Sequence, residues 1–135
     1  MGIDVTTDLA AIDMDRLVEW LGDSYWASDR SLDTQAKALE GSLCFSALVD
    51  GTFAGFCRVV TDGATFGWLC DVIVDPERRG TGIGKSLMEA VSNDPRLAGV
   101  RMVLATRDAH RLYEQYGFAA LGHPENWMGR GFRAC

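Results

Sequence analysis

Nine consecutive residues, Arg78-Arg79-Gly80-Thr81-Gly82-Ile83-Gly84-Lys85-Ser86, set alternate glycines among arginines, a lysine and hydroxyls. Such a stretch can hold phosphate, because glycine lets main-chain amides approach an anion and the first amides of a helix lack partners and carry the positive end of its dipole. Three phosphate loops are written in nearly these letters. The nucleotide P-loop GxxxxGK[ST] would use Lys85 and Ser86 to hold ATP-Mg, but it needs a glycine where Arg79 stands and misses by one residue. The dinucleotide fingerprint GxGxxG also fails, since Gly84 follows Gly82 one residue too soon. The pattern [RQ]xxGx[GA] is met by Arg79 to Gly84, directly after the apolar run Val72-Ile73-Val74-Asp75-Pro76.

Other residues could do chemistry nearby. Asp71 lies in Trp68-Leu69-Cys70-Asp71, where a carboxylate within an apolar run needs a reason: a general base, or a partner for Arg58 or another strand cation. Tyr25 and Trp26 beside Asp23 and Asp29, and Trp127 beside Glu125 and Asn126, suit an ammonium through cation–π attraction and charge, or close a small core. The four cysteines form no CxxC pair and the two histidines, His110 and His123, have no zinc spacing, so no metal is expected. Cys44, Cys57 and Cys70 sit among strand residues and read as buried small hydrophobes.

These residues must be positioned by regular elements. Ile3 and Val5 begin a short strand; Met14, Leu17, Val18 and Leu21 keep helical spacing behind Asp13 as N-cap, with Gly22 as the stop; LDTQAKALE forms a second helix between Ser31 and Gly41. Leu43–Val49, Phe53–Thr61 and Thr65–Val74 read as strands joined by Asp50-Gly51 and Asp62-Gly63, an antiparallel meander. Ile83, Leu87, Ala90 and Val91 then mark a helix opening in the glycine loop, broken at Asn93-Asp94-Pro95. A strand over Val100–Ala105 follows, and a last helix, capped by Asp108, ends at Tyr116-Gly117. Strand, loop, helix and strand make a βαβ unit, so the fold is α/β of the α+β type, its mixed sheet antiparallel first and parallel at the glycine loop.

At 135 residues, with 47% apolar and 24% charged residues, the chain suits one globular domain spanning 1–135. No apolar run reaches the ~20 residues of a membrane span and the N-terminus has no signal-peptide pattern, so a cytoplasmic protein off the membrane is expected. A formal charge of −6 opposes sequence-independent nucleic-acid binding and leaves amine-bearing partners open. Either a monomer or a homodimer is compatible with these features.

The glycine loop, together with Asp108-Ala109-His110-Arg111-Leu112-Tyr113-Glu114-Gln115-Tyr116-Gly117-Phe118, which is similar to the signature AxxLYxxxGF, resembles the GNAT superfamily of N-acetyltransferases over about the full length. The resemblance implies direct transfer of acetyl from acetyl-CoA to a primary amine in a V-shaped opening between two splayed parallel strands, without a metal. Carried over by position, Val72, Ile73 and Val74 would meet the pantetheine arm with main-chain groups. Arg79, Gly80, Thr81, Gly82, Ile83, Gly84, Lys85 and Ser86 would hold the diphosphate, with Arg78 a further source of charge. Thr106 would stand where many relatives have a cofactor-contacting asparagine. Tyr113 would be the general acid that protonates the leaving thiolate, or serve only in packing beside Leu112 and Tyr116; Asp71 is the candidate base; Tyr25 and Trp26 would face the acceptor. Asp108 reads as a helix cap. Alternatives are a transferase using another acyl-CoA and a non-catalytic acyl-CoA-binding module.

Overall fold

The computed structural model describes residues 2–132; Cys135 lies outside them. Five strands, β1 (Ile3–Thr6), β2 (Ser42–Val49), β3 (Thr52–Thr61), β4 (Phe66–Val74) and β5 (Arg101–Val103), follow one another across a single sheet, antiparallel from β1 to β4 and parallel between β4 and β5. Four helices flank it: α1 (Met14–Gly22), α2 (Leu32–Glu40), α3 (Ile83–Asn93) and α4 (His110–Glu114).

Local chemistry accounts for most boundaries. The Asp13 carboxylate accepts from the Arg16 amide at 3.1 Å to open α1, and the Ser31 hydroxyl accepts from Thr34 N at 3.1 Å to open α2. Asp50 and Gly51, at φ +49° and +84°, make the left-handed pair that a two-residue hairpin needs between β2 and β3. The structure corrects two expectations at the C-terminal side. β5 is three residues rather than six, because the chain leaves β4 after Val103. Asp108 does not cap the last helix: Ala109 is its N-cap, and the Thr106 hydroxyl accepts from Ala109 N at 3.1 Å in the turn before it.

The sheet separates two cores. On one face α3 packs Leu87, Met88 and Val91 with Phe45, Cys57, Val59 and Leu69; on the other α1 packs Leu17, Trp20 and Leu21 with Cys44, Phe53, Phe56 and Ile73. Leu69 and Ile73 have the same parity along β4 yet belong to opposite faces, which plain strand alternation forbids. A β-bulge explains it. Pairing Phe56 with Ile73 and Arg58 with Cys70 leaves Asp71 and Val72 together opposite Cys57, and Asp71 absorbs the extra residue at φ +53°. β4 pairs with β5 only over Phe66–Trp68, before the bulge; from Leu69 through the bulge to Val74 it has no strand on that side among the described residues.

Candidate active site

The two strands therefore form the arms of a V whose open end lies at the C-terminal half of β4. Its inner edge consists of main-chain groups. Asp75 N donates to Ala54 O at 2.8 Å, on the β3 side, so by alternation the peptide groups of Val72 and Val74 face the opening while those of Ile73 face β3. Consistently, a Cβ on Gly55 of β3 would lie 3.4 Å from Ile73 O. Of the three residues expected to offer main-chain contacts, the geometry leaves Val72 and Val74 free to do so.

The glycine loop closes the base of this edge. Gly80 and Gly82 take φ of +79° and +91°, left-handed values that any Cβ would strain. Gly82 is the N-cap of α3 and gives no side-chain cap, so the amides of Ile83, Gly84 and Lys85 open the helix toward any anion placed there. Arg79 and Lys85 are exposed beside them. Arg78 is turned inward, its guanidinium 3.5 Å from the buried Asp75 carboxylate and its carbonyl accepting from the Thr81 hydroxyl at 2.6 Å. Gly84 has a different role: it is helical, and a Cβ there would touch Leu112 at 3.5 Å, so it brings α3 close to α4. The residues present thus fit a diphosphate and a peptide-like arm, the two parts of CoA that bind main chain.

Tyr113 sits where the LYxxxGF spacing puts it, and the reason is a helix C-terminus. Phe118 N donates to Tyr113 O at 3.2 Å and Gly117 N to Glu114 O at 3.3 Å, with Gly117 at φ +88°, a Schellman motif in which Tyr113 and Phe118 make the accompanying apolar contact at 6.0 Å between ring centroids. The Tyr116 hydroxyl donates to Lys85 O at 3.2 Å and ties this turn to the start of α3. Tyr113 is 8% exposed and belongs to the α3-side core that also holds Cys57, with Val72 and Val74 packed against that core. Burial above all, then the nearby Cys57, Tyr25 and Asp108, pushes its phenol up to about 12, so it keeps its proton at neutral pH.

Asp71 is held differently. Its carboxylate accepts from Trp26 Nε1 at 2.9 Å, Arg30 at 2.6 Å and Arg58 Nε at 2.7 Å, with a fully buried side chain. Burial alone would raise its pKa; the hydrogen bonds and charges of Arg30 and Arg58 outweigh that and hold the carboxyl below its ordinary range. Arg58 also donates to Ser42 Oγ at 3.0 Å, and Arg30 to Gln35 Oε1 at 3.2 Å, while the buried Gln35 Nε2 has no partner among the described residues. Sequence reasoning named Arg58 but missed Arg30 and Gln35, which lie in the α1–α2 loop and α2 with no strand pattern to connect them to β4.

The α1–α2 loop spans the mouth. Trp26 reaches the β4 arm through Asp71, and Tyr25, edge-on to Trp26 at 4.9 Å, accepts from Arg107 N at 3.3 Å and carries the Arg107 guanidinium 3.8 Å above its ring, on the side following β5. Tyr25 and Trp26 are thus brought together with Tyr113 and Asp71. Trp127 is not: it stacks on Phe66 at 6.4 Å, at the far end of β4, roughly 25 Å along the strand from Val74. Burial foremost pushes the Cys44 and Cys70 thiols up to about 11 and about 12, so both stay protonated at neutral pH. Among the described residues no group of His, Cys, Asp or Glu could hold a metal, and no helix is long and apolar enough to cross a membrane.

A mixed sheet splayed after a bulge, a glycine-capped helix at the splay and a buried tyrosine beside it define an acyltransferase-like architecture, and comparison with known proteins agrees. Residues 40–120 match the family model described as an acetyltransferase (GNAT) domain. An IAA acetyltransferase of Azospirillum brasilense is 33% identical over 118 residues, covering 81% of this chain and 76% of its own. A solved Xanthomonas campestris pv. campestris protein, described as an acetyltransferase of the GNAT family, is 42% identical with a TM-score of 0.93, over 98% of this chain and 94% of its own. The glucosamine-6-phosphate N-acetyltransferase of Arabidopsis thaliana shares the fold at TM-score 0.65 and 18% identity, covering 98% of this chain and all of its own. The chain belongs to the GNAT acetyltransferase family.

Proposed function

We propose that the protein is an acetyl-CoA-dependent N-acetyltransferase acting on a primary amine. The observation that carries this reading is the continuity of one surface: the unpaired Val72 and Val74 main chain runs into the uncapped N-terminus of α3, and Tyr113 belongs to the core that Ile83 of α3, Val72 and Val74 share. Acetyl-CoA as co-substrate supplies a thioester carbonyl and a thiolate leaving group. The chain supplies the rest. Val72 and Val74 orient the pantetheine arm as a substitute strand, and the Ile83, Gly84 and Lys85 amides, with Arg79 and Lys85, hold the diphosphate. A main-chain amide at the opening is placed to receive the charge that develops on the carbonyl oxygen.

The neutral amine nitrogen bonds the carbonyl carbon as the C–S bond breaks, Tyr113 gives its proton to the departing sulfur, and the proton shed by the nitrogen returns to the Tyr113 phenolate. Its raised pKa suits this poorly in water, where a thiol is the stronger acid, but the same apolar surroundings raise a thiolate's basicity too, as they do for Cys70. Asp71 serves as an anchor rather than a base: both carboxylate oxygens are engaged by donors and the group is weakly basic. The experiment is release of CoA thiol with a panel of amines, preceded by melting with acetyl-CoA, CoA, NAD and ATP-Mg at equal excess. Stabilisation by acetyl-CoA and CoA alone, followed by amine-dependent thiol release, is the expected result. Binding without release from any amine would favour a non-catalytic acyl-CoA module, and stabilisation by ATP-Mg alone would overturn both.

A further inference from the structure

Resting on the N-acetyltransferase reading, we infer that the acceptor amine carries an anionic group, a carboxylate or a phosphate, which is received by Arg107 and Arg30 at the mouth of the V. The charges on the acceptor side lead there. Two guanidiniums, Arg30 and Arg58, share the single carboxylate of Asp71, so this cluster holds one more positive charge than negative. Arg58 is buried, whereas the Arg30 side chain keeps 21% of its surface exposed and is the member that reaches the mouth. Its NH1 serves both Asp71 and Gln35, which leaves its other donors for a ligand. The cluster also has a surplus of donors: Gln35 Nε2 is buried with no acceptor among the described residues.

Arg107 is a second, independent feature. Its guanidinium carbon stands 3.8 Å over the centroid of the exposed Tyr25 ring, and no carboxylate pairs with it among the described residues. Stacking occupies the face of a guanidinium and leaves its in-plane N–H donors free, the geometry that grips carboxylate or phosphate in two-pronged fashion. The Tyr25 hydroxyl accepts from the Arg107 amide at 3.3 Å, and Arg107 lies in the turn that leads into α4, the helix that carries Tyr113, so an anion on Arg107 would stand at the Tyr113 end of the opening. Asp108, adjacent to Arg107 and just before α4, supplies the opposite sign on the α4 side. An amine with its own anion matches both signs, whereas a simple polyamine would set its second ammonium against Arg107.

The test compares matched acceptors at saturating acetyl-CoA: phenylalanine with phenylalaninamide for the carboxylate, phosphoethanolamine with ethanolamine for the phosphate. We expect the anionic member of at least one pair to have a kcat/KM higher by about tenfold or more, the pair showing which anion is used, and Arg107→Gln to remove most of that preference by lowering the anionic member's kcat/KM far more than its neutral partner's. Equal or reversed preference in both pairs, or a preference that survives Arg107→Gln and Arg30→Gln alike, overturns the inference. Melting of the CoA-saturated protein with benzoate against benzamide decides the case without catalysis. Stabilisation by benzoate that Arg107→Gln abolishes supports the anion site even if no amine is acetylated; no difference between benzoate and benzamide counts against it. Absence of thiol release with every amine would sink the transferase reading alone.

Discussion

The cofactor side and the acceptor side of the opening are built from different materials. On the side proposed to take the cofactor, Val72 to Ser86 is one contiguous stretch that offers main-chain groups and glycine conformations, with Arg78, Arg79 and Lys85 as additions. Toward the acceptor, the working groups are side chains gathered from five places: Tyr25, Trp26 and Arg30 from a loop, Gln35 from α2, Arg58 from β3, Asp71 from β4 and Arg107 from the turn after β5. A contiguous main-chain site tolerates any side chain that keeps the backbone path, whereas a gathered one fails when any member is altered. On the proposed reading, the second side is where acceptor choice would be set.

Substitutions can break this contrast in order of severity. Asp71→Asn strips one charge from a buried cluster, leaving Arg30 and Arg58 facing each other, and should cost about 3–5 kcal/mol, read as a melting temperature lower by about 10 °C or more. An unchanged melt would mean that the cluster is solvated and that the acceptor side is not so integrated. Tyr113→Phe should lower kcat about 100-fold with acetyl-CoA affinity almost unaltered; equal turnover would remove the phenol from proton transfer. Gly55→Ala places a Cβ 2.7 Å from the Ile83 methyl, a branched side chain with little room to yield, and should destabilise by about 1–3 kcal/mol while weakening acetyl-CoA binding, because Ile83 begins α3. Gly82→Ala meets open space but a left-handed backbone, so its cost should be about 1–2 kcal/mol and appear mainly as weaker cofactor binding.

The smallest effect is on pH dependence. Because Asp71 has a folded pKa below its unfolded one, its contribution to stability is present above the ordinary carboxylate range and fades as pH falls below about 4 toward the depressed value. Denaturant melts at pH 6, 4 and 3 should therefore show a steeper acid decline in the original chain than in Asp71→Asn. Parallel declines would show that Asp71 is not the titrating link.

The same contrast governs what could be read from the letters. Strand order, the α1 and α2 caps and the glycine loop were legible because each depends on residues adjacent in sequence, as with Asp13 before Met14 or Asp50 beside Gly51. The bulge at Asp71 was not, since an aspartate in a left-handed strand position leaves no periodic signal beyond an acid among apolar neighbours. Asp108 misled because it has a capping side chain near a helix start, yet the turn begun by Thr106 moves the start onward by one residue. The arginines of the acceptor side could not be found from spacing: 28 positions separate Arg30 from Arg58, and only tertiary folding makes them share a carboxylate.

The bulge has one further consequence. By turning Ile73 toward α1 and Asp71 toward the loop after it while Leu69, like Val72 and Val74, packs on the α3 side, it sets the unpaired edge of β4 between the two layers of helices, where the proposed opening would be a window rather than a pocket. On the proposed reading the two reactants would enter that window from opposite sides, and neither would have to depart before the other arrives. Initial velocities plotted in double-reciprocal form should yield converging lines, and acetyl-CoA without an amine should leave no acetyl group on the protein.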